Sequence, residues 1–532
     1  MPGRFPFTAV ARAGWWGGAL LVAAGCSAPS KSGPAAPVWA ADSATVRLAA
    51  GPQYERGAIW RFFWGAHYRD LWTTPVTVPV LRLATAEPGG LRPLQGGGSY
   101  QSRTLRLRTP DARQFVLRSV DKDASAALPA GWPRRLLSGL MKDQTSTAQP
   151  YGAYVAAPLA EAAGVLHANP RLVYLPADPG LGLFGAGYAN ALYLLEERPE
   201  GDQRAAACFG HSTQIVNTAH VLAAICQWPA DRVAARAYLR ARLLDIWLGD
   251  WSRRPDQWRW ASFLRAGQVT YRPIPRDRDQ AFFLFDDGLF TRIIAGFIAK
   301  YQSFHPTLSA GAVDGLGRTA RVLDRTLLGT LSADDFRQEA DSLRRRLSDA
   351  AIGRALAAGP AETRAAITAR LAPLLRVRRE QLPVVAGRYY KILAAEAWLI
   401  GTDRAERFLI SGAGVGRVRV QLLTHRPNQA DSLLAERIYD RKDTRQLNLY
   451  GLAGDDRFEL TAPLPAGLAI NIYPGAGSDQ VRSAAADNPT VTWYRNLRGT
   501  ARDPAGVTVR PDPNPGLTAD RFGWLTRYHL RD

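Results

Sequence analysis

Cysteine and histidine are scarce in this chain, and neither residue forms a metal-binding motif. Of the 532 residues only three are cysteine and seven are histidine. No Cys-x-x-Cys, His-x-x-x-His or His-x-Asp pattern occurs, and such patterns mark zinc sites, redox motifs and metal-dependent hydrolases. The nucleophile elbow Gly-x-Ser-x-Gly is absent as well. These absences argue against a zinc hydrolase, a metallophosphoesterase or a serine hydrolase.

Lysine is also rare, so almost all of the positive charge comes from arginine. Six of the 67 basic residues are lysine, and the formal net charge at pH 7 is +20. An arginine-rich surface suits anionic lipid headgroups or lipopolysaccharide phosphates if the protein is held at a membrane. Nucleic acid is not an expected partner, because the N-terminus predicts export.

The first 25 residues are typical of a signal peptide. Arg4 and Arg12 precede an apolar run that is shorter than the ~20 residues needed to span a bilayer. The run ends in Ala23-Ala24-Gly25-Cys26, which resembles a bacterial lipobox in which Cys26 is lipidated. The alternative is an ordinary secretory signal that is cleaved near residues 40–41.

Both alternatives place the protein in the bacterial cell envelope, and lipidated Cys26 predicts an anchor, with the outer membrane as the expected location. Residues 26–53 are rich in Ser, Pro, Ala and Gly and are predicted to be a flexible tether. Cys208 and Cys226 could form a disulfide in an oxidising envelope or remain as free thiols.

Two acidic clusters flank a predicted β-hairpin. The first contains Asp250 and is followed by Gln257, and the second contains Asp277 and Asp279. A phosphoryl-transfer site needs a carboxylate at the substrate hydroxyl, an amide for a metal, and another carboxylate for Mg²⁺ on the phosphates. A hairpin between the clusters would bring both to the mouth of one cleft.

These motifs resemble those of atypical kinase-like folds, namely CotH-type spore-coat kinases, HipA-type kinases and secretory-pathway kinases. From about residue 54 to 479 the chain is more closely similar to a Bacteroidetes-type family of envelope proteins with such a domain. Members often carry Gly-Asp-Trp-Asp-Arg-His-Glu-Asp-Gln-Trp where residues 249–258 read Gly-Asp-Trp-Ser-Arg-Arg-Pro-Asp-Gln-Trp. Many of them are fused to a BamA-type barrel or a metallophosphoesterase, and the sequence predicts neither in this chain.

The resemblance implies a site for ATP with Mg²⁺ or Mn²⁺. Asp277, Asp279 and Gln257 are the metal ligands that it implies. It also makes an outer-membrane barrel protein a candidate partner.

The chain departs from the family motif at the catalytic position. Ser252 stands where the catalytic Asp falls, and Arg254 stands where the His falls. A hydroxyl cannot take up a proton as a carboxylate does, whereas Asp250 would point to the same side of an extended segment as Ser252. An active atypical kinase that uses Asp250 and a degenerate pseudokinase therefore both remain open. A third alternative is that the acids only cap helices and pair with arginines.

Residues that contact the nucleotide are expected on a small β-rich lobe. Arg118 lies on a predicted third strand, at the position of the kinase lysine, and Lys122 is the only lysine nearby. Glu161, on a predicted helix, is expected to pair with one of them. Glu196 lies on a strand that resembles the hinge of a kinase. Gly96 to Gly98 could cover phosphates or form an ordinary loop.

A change of pattern near residue 402 predicts a second domain with alternating strands. Within it, two Gly-Asp turns that contain Asp455, Asp456 and Asp479 resemble single calcium-binding turns of parallel β-helices. Two copies are few, so Ca²⁺ sites and plain Gly-Asp turns both remain open.

The sequence thus predicts an α+β protein. A two-lobed, protein-kinase-like domain spans residues 54–400, a small mostly β domain spans 401–495, and an irregular tail follows at 496–532. The predicted function is that of an envelope lipoprotein with a kinase-like, nucleotide- and metal-binding site. The alternative is a non-enzymatic adaptor for an outer-membrane barrel protein.

Overall fold

The computed structural model describes residues 43–98, 102–122, 134–425, 430–461, 464–484, 488–495 and 506–512. Helices and sheets both contribute to it, and the predicted α+β class is confirmed. The signal peptide, Cys26 and residues 27–42 of the tether lie outside the described residues. No helix within the described ranges is both long and apolar enough to cross a membrane.

The first half of the chain alternates short strands and helices. Its strands are β1 (Thr45–Ala49), β2 (Pro75–Pro79), β3 (Arg92–Gly97), β4 (Thr104–Arg108), β5 (Gln114–Ser119), β6 (Arg171–Leu175), β7 (Ala191–Glu197), β8 (Gln214–Asn217), β9 (Arg232–Val233), β10 (Trp258–Arg265) and β11 (Gln268–Pro275). Its helices are α1 (Ala58–Trp64), α2 (Arg69–Thr73), α3 (Arg134–Asp143), α4 (Gly152–Ala163), α5 (Gly185–Tyr188), α6 (Thr218–Gln227), α7 (Ala235–Leu248) and α8 (Leu289–Phe297).

The second half is helical and then almost entirely β. Its helices are α9 (Ala310–Gly317), α10 (Arg321–Leu328), α11 (Ala333–Arg346), α12 (Asp349–Ala357), α13 (Ala361–Glu380) and α14 (Leu382–Ala394). Its strands are β12 (Glu396–Ile400), β13 (Glu406–Gly412), β14 (Arg417–Thr424), β15 (Leu433–Asp440), β16 (Gln446–Tyr450), β17 (Arg457–Leu460), β18 (Ala469–Tyr473), β19 (Gln480–Ser483), β20 (Asn488–Arg495) and β21 (Val507–Pro511).

A small antiparallel sheet with the strand order β3-β4-β5-β7-β6 carries the predicted third strand and the predicted hinge strand side by side. Its side chains alternate between two cores, as the period of a strand requires. On β7, Leu192 and Leu194 belong to the large core that includes α4, whereas Tyr193 and Leu195 belong to a smaller core on the other face. The sheet is therefore fixed against α4 on one face.

The helical region packs around α7, which is buried along most of its length. Helix α11 begins with a capping box, in which Ser332 accepts from the Asp335 amide and the Asp335 side chain accepts from the Ser332 amide. Gly359 and Pro360 separate α12 from α13.

The β domain consists of two five-stranded sheets that enclose one core. Strands β12, β16, β18, β20 and β21 run parallel in one sheet, and β13, β17 and β19 run parallel in the other. Asn448 pairs with Asn471 across neighbouring strands, and their side chains, 23 residues apart, are hydrogen bonded. The chain from β16 onwards thus coils in the manner of a short parallel β-helix.

Three boundaries differ from the prediction. Strand β1 lies in the segment predicted to be a tether, where it pairs with β2 and buries Val46. Strand β12 pairs with β16, so the β domain begins five residues earlier than predicted. Strand β21 lies within residues 496–532, which were predicted to be an irregular tail, and it pairs with β20. The partners of β1 and β12 lie about 30 and 50 residues further along the chain, and local patterns do not reveal such pairings. Cys208 and Cys226 are free thiols.

The two Gly-Asp turns stack at one corner of the coil. Asp456 Oδ1 accepts from the Glu406 amide at 2.9 Å, and Asp479 Oδ1 accepts from the Asp456 amide at 3.0 Å. Asp455 Oδ1 accepts from the Ser478 amide at 2.8 Å. These carboxylates therefore hold the backbone of the neighbouring coil. No group of three acidic, His or Cys side chains suited to a metal occurs among the described residues, and calcium binding stays a prediction.

The stacked carboxyls bind protons more tightly than free carboxyls do. Burial, together with the charges of Glu406 and Asp479, raises the pKa of Asp456 to about 10. Burial also raises the pKa of Glu406 to about 7 and that of Asp479 to about 6. Because these pKa values lie above those of the unfolded chain, the folded state gains most from these groups below pH ~4, and the gain is lost as pH rises through the folded pKa values.

The variant Asp456→Asn keeps an acceptor oxygen and removes the ionisable proton. We expect it to raise the melting temperature at pH 8 by about 3 °C or more, which corresponds to roughly 1 kcal/mol, and to raise it less at pH 5. Thermal unfolding in EDTA measures the effect, with the exposed Asp455→Asn as the matched control. An equal change at both pH values would contradict this account of the corner.

Candidate functional site

The predicted hairpin is present and joins the two acidic clusters. Helix α7 ends at Gly249, which adopts a left-handed conformation with φ of 70°. Strands β10 and β11 pair antiparallel from Trp258 opposite Pro275. The Arg276 amide continues this ladder, since it donates to the Gln257 carbonyl at 2.9 Å. The chain that enters the hairpin therefore lies beside the chain that leaves it.

The first cluster is buried and engaged within the protein. Asp250 is fully buried, and its carboxylate accepts from the Ser252 amide at 3.1 Å and from Arg253 Nη2 at 2.5 Å. Burial, with the negative charges of Asp245 and Asp279, raises the pKa of Asp250 to about 7, against the opposing attraction of Arg253. Asp250, the candidate base in the sequence, is therefore a buried carboxyl that is held by Arg253.

Ser252 and Gln257 close the same loop. Gln257 Nε2 donates to Ser252 Oγ at 3.0 Å, and Gln257 Oε1 accepts from the Arg254 amide at 2.9 Å. Both side chains are buried. The amide oxygen that the sequence assigned to a metal is therefore used to fix the loop before β10.

The second cluster faces a pocket. Asp277 and Asp279 are each 26% exposed, and the intervening Arg278 points the other way, to Asp245, at 3.3 Å. Asp277 has φ of 60°, which is unusual for a residue with a side chain. Strain of this kind persists only where the surroundings impose it, and it occurs often at functional sites.

Cationic side chains of the small sheet meet these carboxylates. Arg118 Nη1 lies 3.3 Å from Asp277 Oδ2, and Arg118 Nε lies 3.6 Å from Glu196 Oε2. Lys122 forms an ion pair with Asp279. The structure thus brings together five of the predicted residues from three separate segments of the chain.

The electrostatics of the pocket differ between its two aspartates. Burial raises the pKa of Asp277, but the positive charges of Arg118 and then Lys122 outweigh burial and bring this pKa down to about 2. For Asp279, burial and the neighbouring Asp277 raise the pKa, and Lys122 opposes them. Burial also raises the pKa of Glu196, against the attraction of Arg118. Two close carboxylates of this kind attract additional positive charge.

The pocket opens to solvent and has a cavity volume of about 30 Å³, which is room for one or two water-sized groups beside the ion pairs. Trp72, Pro150, Ala153 and Leu194 supply its apolar wall. Asp250 and Gln257 are not among its lining residues in the part of the chain that the structure describes. The sequence predicts that both clusters face one cleft. Asp277 and Asp279 line this pocket, whereas Asp250 and Gln257 are buried in the loop before β10.

Glu161 requires a correction. It lies exposed near the end of α4, and the partners of Arg118 and Lys122 are Glu196, Asp277 and Asp279. The start of α4, and not its end, reaches the pocket through Ala153. The acid that supports the basic residue on β5 is thus Glu196 on the adjacent strand β7.

Gln149 is a pocket residue that the sequence did not indicate. It is 3% exposed, it lines the pocket, and neither atom of its amide has a hydrogen-bond partner among the described residues. A buried amide without partners costs about 1–3 kcal/mol. No motif contains it, and only the turn before α4 brings it to the cleft.

No protein-family model matches the sequence, and no curated protein matches it. Among solved structures, the chain is similar to the crystal structure of the Helicobacter pylori proinflammatory kinase CtkA at 12% sequence identity. The match covers 58% of this chain and 97% of that chain, with a TM-score of 0.30.

Gln149→Leu tests whether the unpartnered amide serves a ligand. We expect the variant to melt about 2–4 °C higher than the wild type, because a buried polar group without partners is replaced by an apolar one. We also expect it to reduce the stabilisation that a pocket ligand provides. Differential scanning fluorimetry with and without Mg-ATP measures both effects.

Gln144→Leu is the matched control, because the side-chain amide of Gln144 also lacks hydrogen-bond partners among the described residues and Gln144 does not line the pocket. A Gln149→Leu protein that melts lower than the wild type and keeps its full ligand response would assign Gln149 a purely structural role.

Proposed function

We propose that this protein is a cell-envelope lipoprotein with a kinase-like domain whose cleft binds ATP with Mg²⁺ or Mn²⁺. In this proposal phosphoryl transfer is slow or absent, which makes the domain a pseudokinase. The observation that carries the proposal is the convergence of Arg118, Lys122, Glu196, Asp277 and Asp279 on one open pocket.

The charges of the pocket suit a phosphate chain together with a cation. A guanidinium and an ammonium group favour phosphate oxygens, the former through two parallel hydrogen bonds. Both groups now balance the two aspartates. A bound Mg-nucleotide would supply the cation to the carboxylates and the phosphates to the basic side chains, so every charge would keep a partner.

The donor set fits a magnesium or manganese ion that is bound together with a nucleotide. Magnesium usually takes one or two protein carboxylates and completes its shell with phosphate oxygens and waters. Asp277 and Asp279 would hold the ion, and Gln257, whose amide is used within its own loop, would not. The ion would neutralise charge on the phosphates.

The catalytic position lacks a free carboxylate. Transfer moves the terminal phosphoryl group to a hydroxyl and releases the nucleoside diphosphate, and a carboxylate commonly accepts the proton of that hydroxyl. Ser252 lacks a carboxylate, and Asp250 is buried against Arg253. This arrangement favours binding without efficient transfer.

A second candidate is a non-enzymatic envelope adaptor for an outer-membrane barrel protein. The same engagement of Asp250, Ser252 and Gln257 within the protein favours it, since a purely structural loop needs no exposed catalytic group. Nucleotide binding separates the two candidates, because an adaptor has no need of it.

We expect Mg-ATP at millimolar concentration to raise the melting temperature of the full chain by about 2–4 °C, since a ligand that binds only the folded state stabilises it. Asp277→Asn combined with Asp279→Asn should abolish the metal-dependent part of the shift. The control is Asp256→Asn, because this exposed acid pairs with Arg254 outside the pocket. If neither Mg²⁺ nor Mn²⁺ with ATP shifts the wild type, the adaptor function remains.

The combined substitutions Ser252→Asp and Arg254→His restore the Asp and the His of the motif that this segment resembles. We expect them to raise transfer of labelled phosphate to a protein substrate by about tenfold or more with little change in nucleotide affinity. Arg254→His alone, a change at an exposed residue, is the control. A wild type that transfers phosphate at a rate the restored protein does not exceed would identify Asp250 as a working base and overturn the pseudokinase proposal.

A further inference from the structure

We propose that the face formed by α1 and α8 docks on the surface of an anionic lipid bilayer. We call it the aromatic face and define it by Ile59, Trp60, Phe62, Phe63, Trp64, Leu289, Phe290, Ile293 and Phe297. Within it Ile59 is 79% exposed, Phe62 65%, Ile293 54% and Phe297 85%. Large apolar patches of this kind on a folded protein mark interaction surfaces.

Neither helix buries its apolar side chains in the core of the protein. None of the residues of α1 is buried, and Thr291 is the buried residue of α8. The rings of Phe63 and Phe290 stack at 5.1 Å, and those of Trp64 and Phe290 meet at 5.2 Å. The two helices therefore pack on each other and still present their outer apolar side chains to solvent.

The aromatic face is preformed. A side chain at Gly288 would clash with the backbone of Gly65, so the ends of the two helices touch directly. Asp287 Oδ2 accepts from the His67 amide at 2.6 Å, and Asp287 Oδ1 lies 2.5 Å from His67 Nδ1. These contacts join α1 and α8 into one rigid unit, which needs no rearrangement before it binds.

Its composition favours a lipid surface over a protein groove. Tryptophan, phenylalanine and leucine form the apolar side of amphipathic helices that lie in the bilayer interface without crossing the membrane. Exposed Arg61 and Arg292 flank the face. Two acids lie near the aromatic face: Glu55, which is exposed and precedes the face in the chain, and Asp286, which is paired with His305. The formal net charge of +20 adds long-range attraction to anionic headgroups.

Vesicle flotation tests this contact on the full chain with Cys26→Ala, so that no acyl chain contributes. We expect binding to phosphatidylglycerol vesicles to exceed binding to phosphatidylcholine vesicles. Phe62→Glu combined with Phe297→Glu should weaken it at least about tenfold, since each ring loses its apolar burial. Leu264→Glu, at a residue 71% exposed on β10, is the matched control and should leave binding within about twofold of the parent.

A site-specific probe distinguishes the aromatic face from the N-terminal segment. An environment-sensitive fluorophore on Phe62→Cys or Phe297→Cys, with Cys26→Ala and Cys208→Ala, should shift to the blue with vesicles, and one on Leu264→Cys should not. Equal flotation of the Phe62→Glu, Phe297→Glu protein and its parent would overturn the proposal, as would an unresponsive probe at both sites. Vesicle-independent dimerisation that the same substitutions abolish would overturn it in favour of a second copy.

Discussion

The fully buried carboxylate of Asp245 fixes the geometry of the cleft. Three arginines reach it: Arg253 at 2.8 Å, Arg242 at 3.1 Å and Arg278 at 3.3 Å. Burial opposes ionisation, but Arg253, Arg278 and Arg242 lower the pKa of Asp245 below its usual value. Arg242 also pairs with buried Asp324 at 3.0 Å, which accepts from Tyr238 as well. Buried charges of this kind are tolerated only when each has partners, and removing one is costly.

This network determines the direction of each functional group. Because Arg278 points inward to Asp245, its neighbours Asp277 and Asp279 point outward to the pocket. Because Arg253 joins Asp245 to Asp250, the Asp250 carboxylate, which the sequence offers as a base in place of Ser252, is drawn into the interior. The same set of ion pairs thus leaves Asp277 and Asp279 open to the pocket and encloses Asp250.

Local patterns in the sequence predicted the elements that local physics determines. The hairpin was predicted between the two acidic clusters, and Arg118 and Glu196 were placed on predicted strands that the structure contains as β5 and β7. The pocket residues Arg118, Glu196, Asp277 and Asp279 followed from motifs placed on those elements. Each of these inferences uses neighbours within a few residues.

The inferences that failed depend on tertiary contacts. Which face of α4 meets the cleft is set by packing, so Glu161 was chosen where Glu196 on the adjacent strand pairs with Arg118. Strand β1 was missed because its partner β2 lies some thirty residues on. Gln149 belongs to no motif, and the capture of Asp250 by Arg253 requires both side chains to be buried together. Arginine content alone gave no indication of which arginines are internal.

The central claim is that one nucleotide site is formed by Arg118, Lys122, Asp277 and Asp279. Hydrogen–deuterium exchange with and without Mg-ATP tests this claim most directly. The structure predicts slower exchange in two segments far apart in sequence, residues 114–122 and 276–281, because both contact the ligand. It predicts no change in the coils of the β domain at residues 446–483. Unchanged exchange in both cleft segments at saturating Mg-ATP, or protection confined to the β domain, would contradict the account.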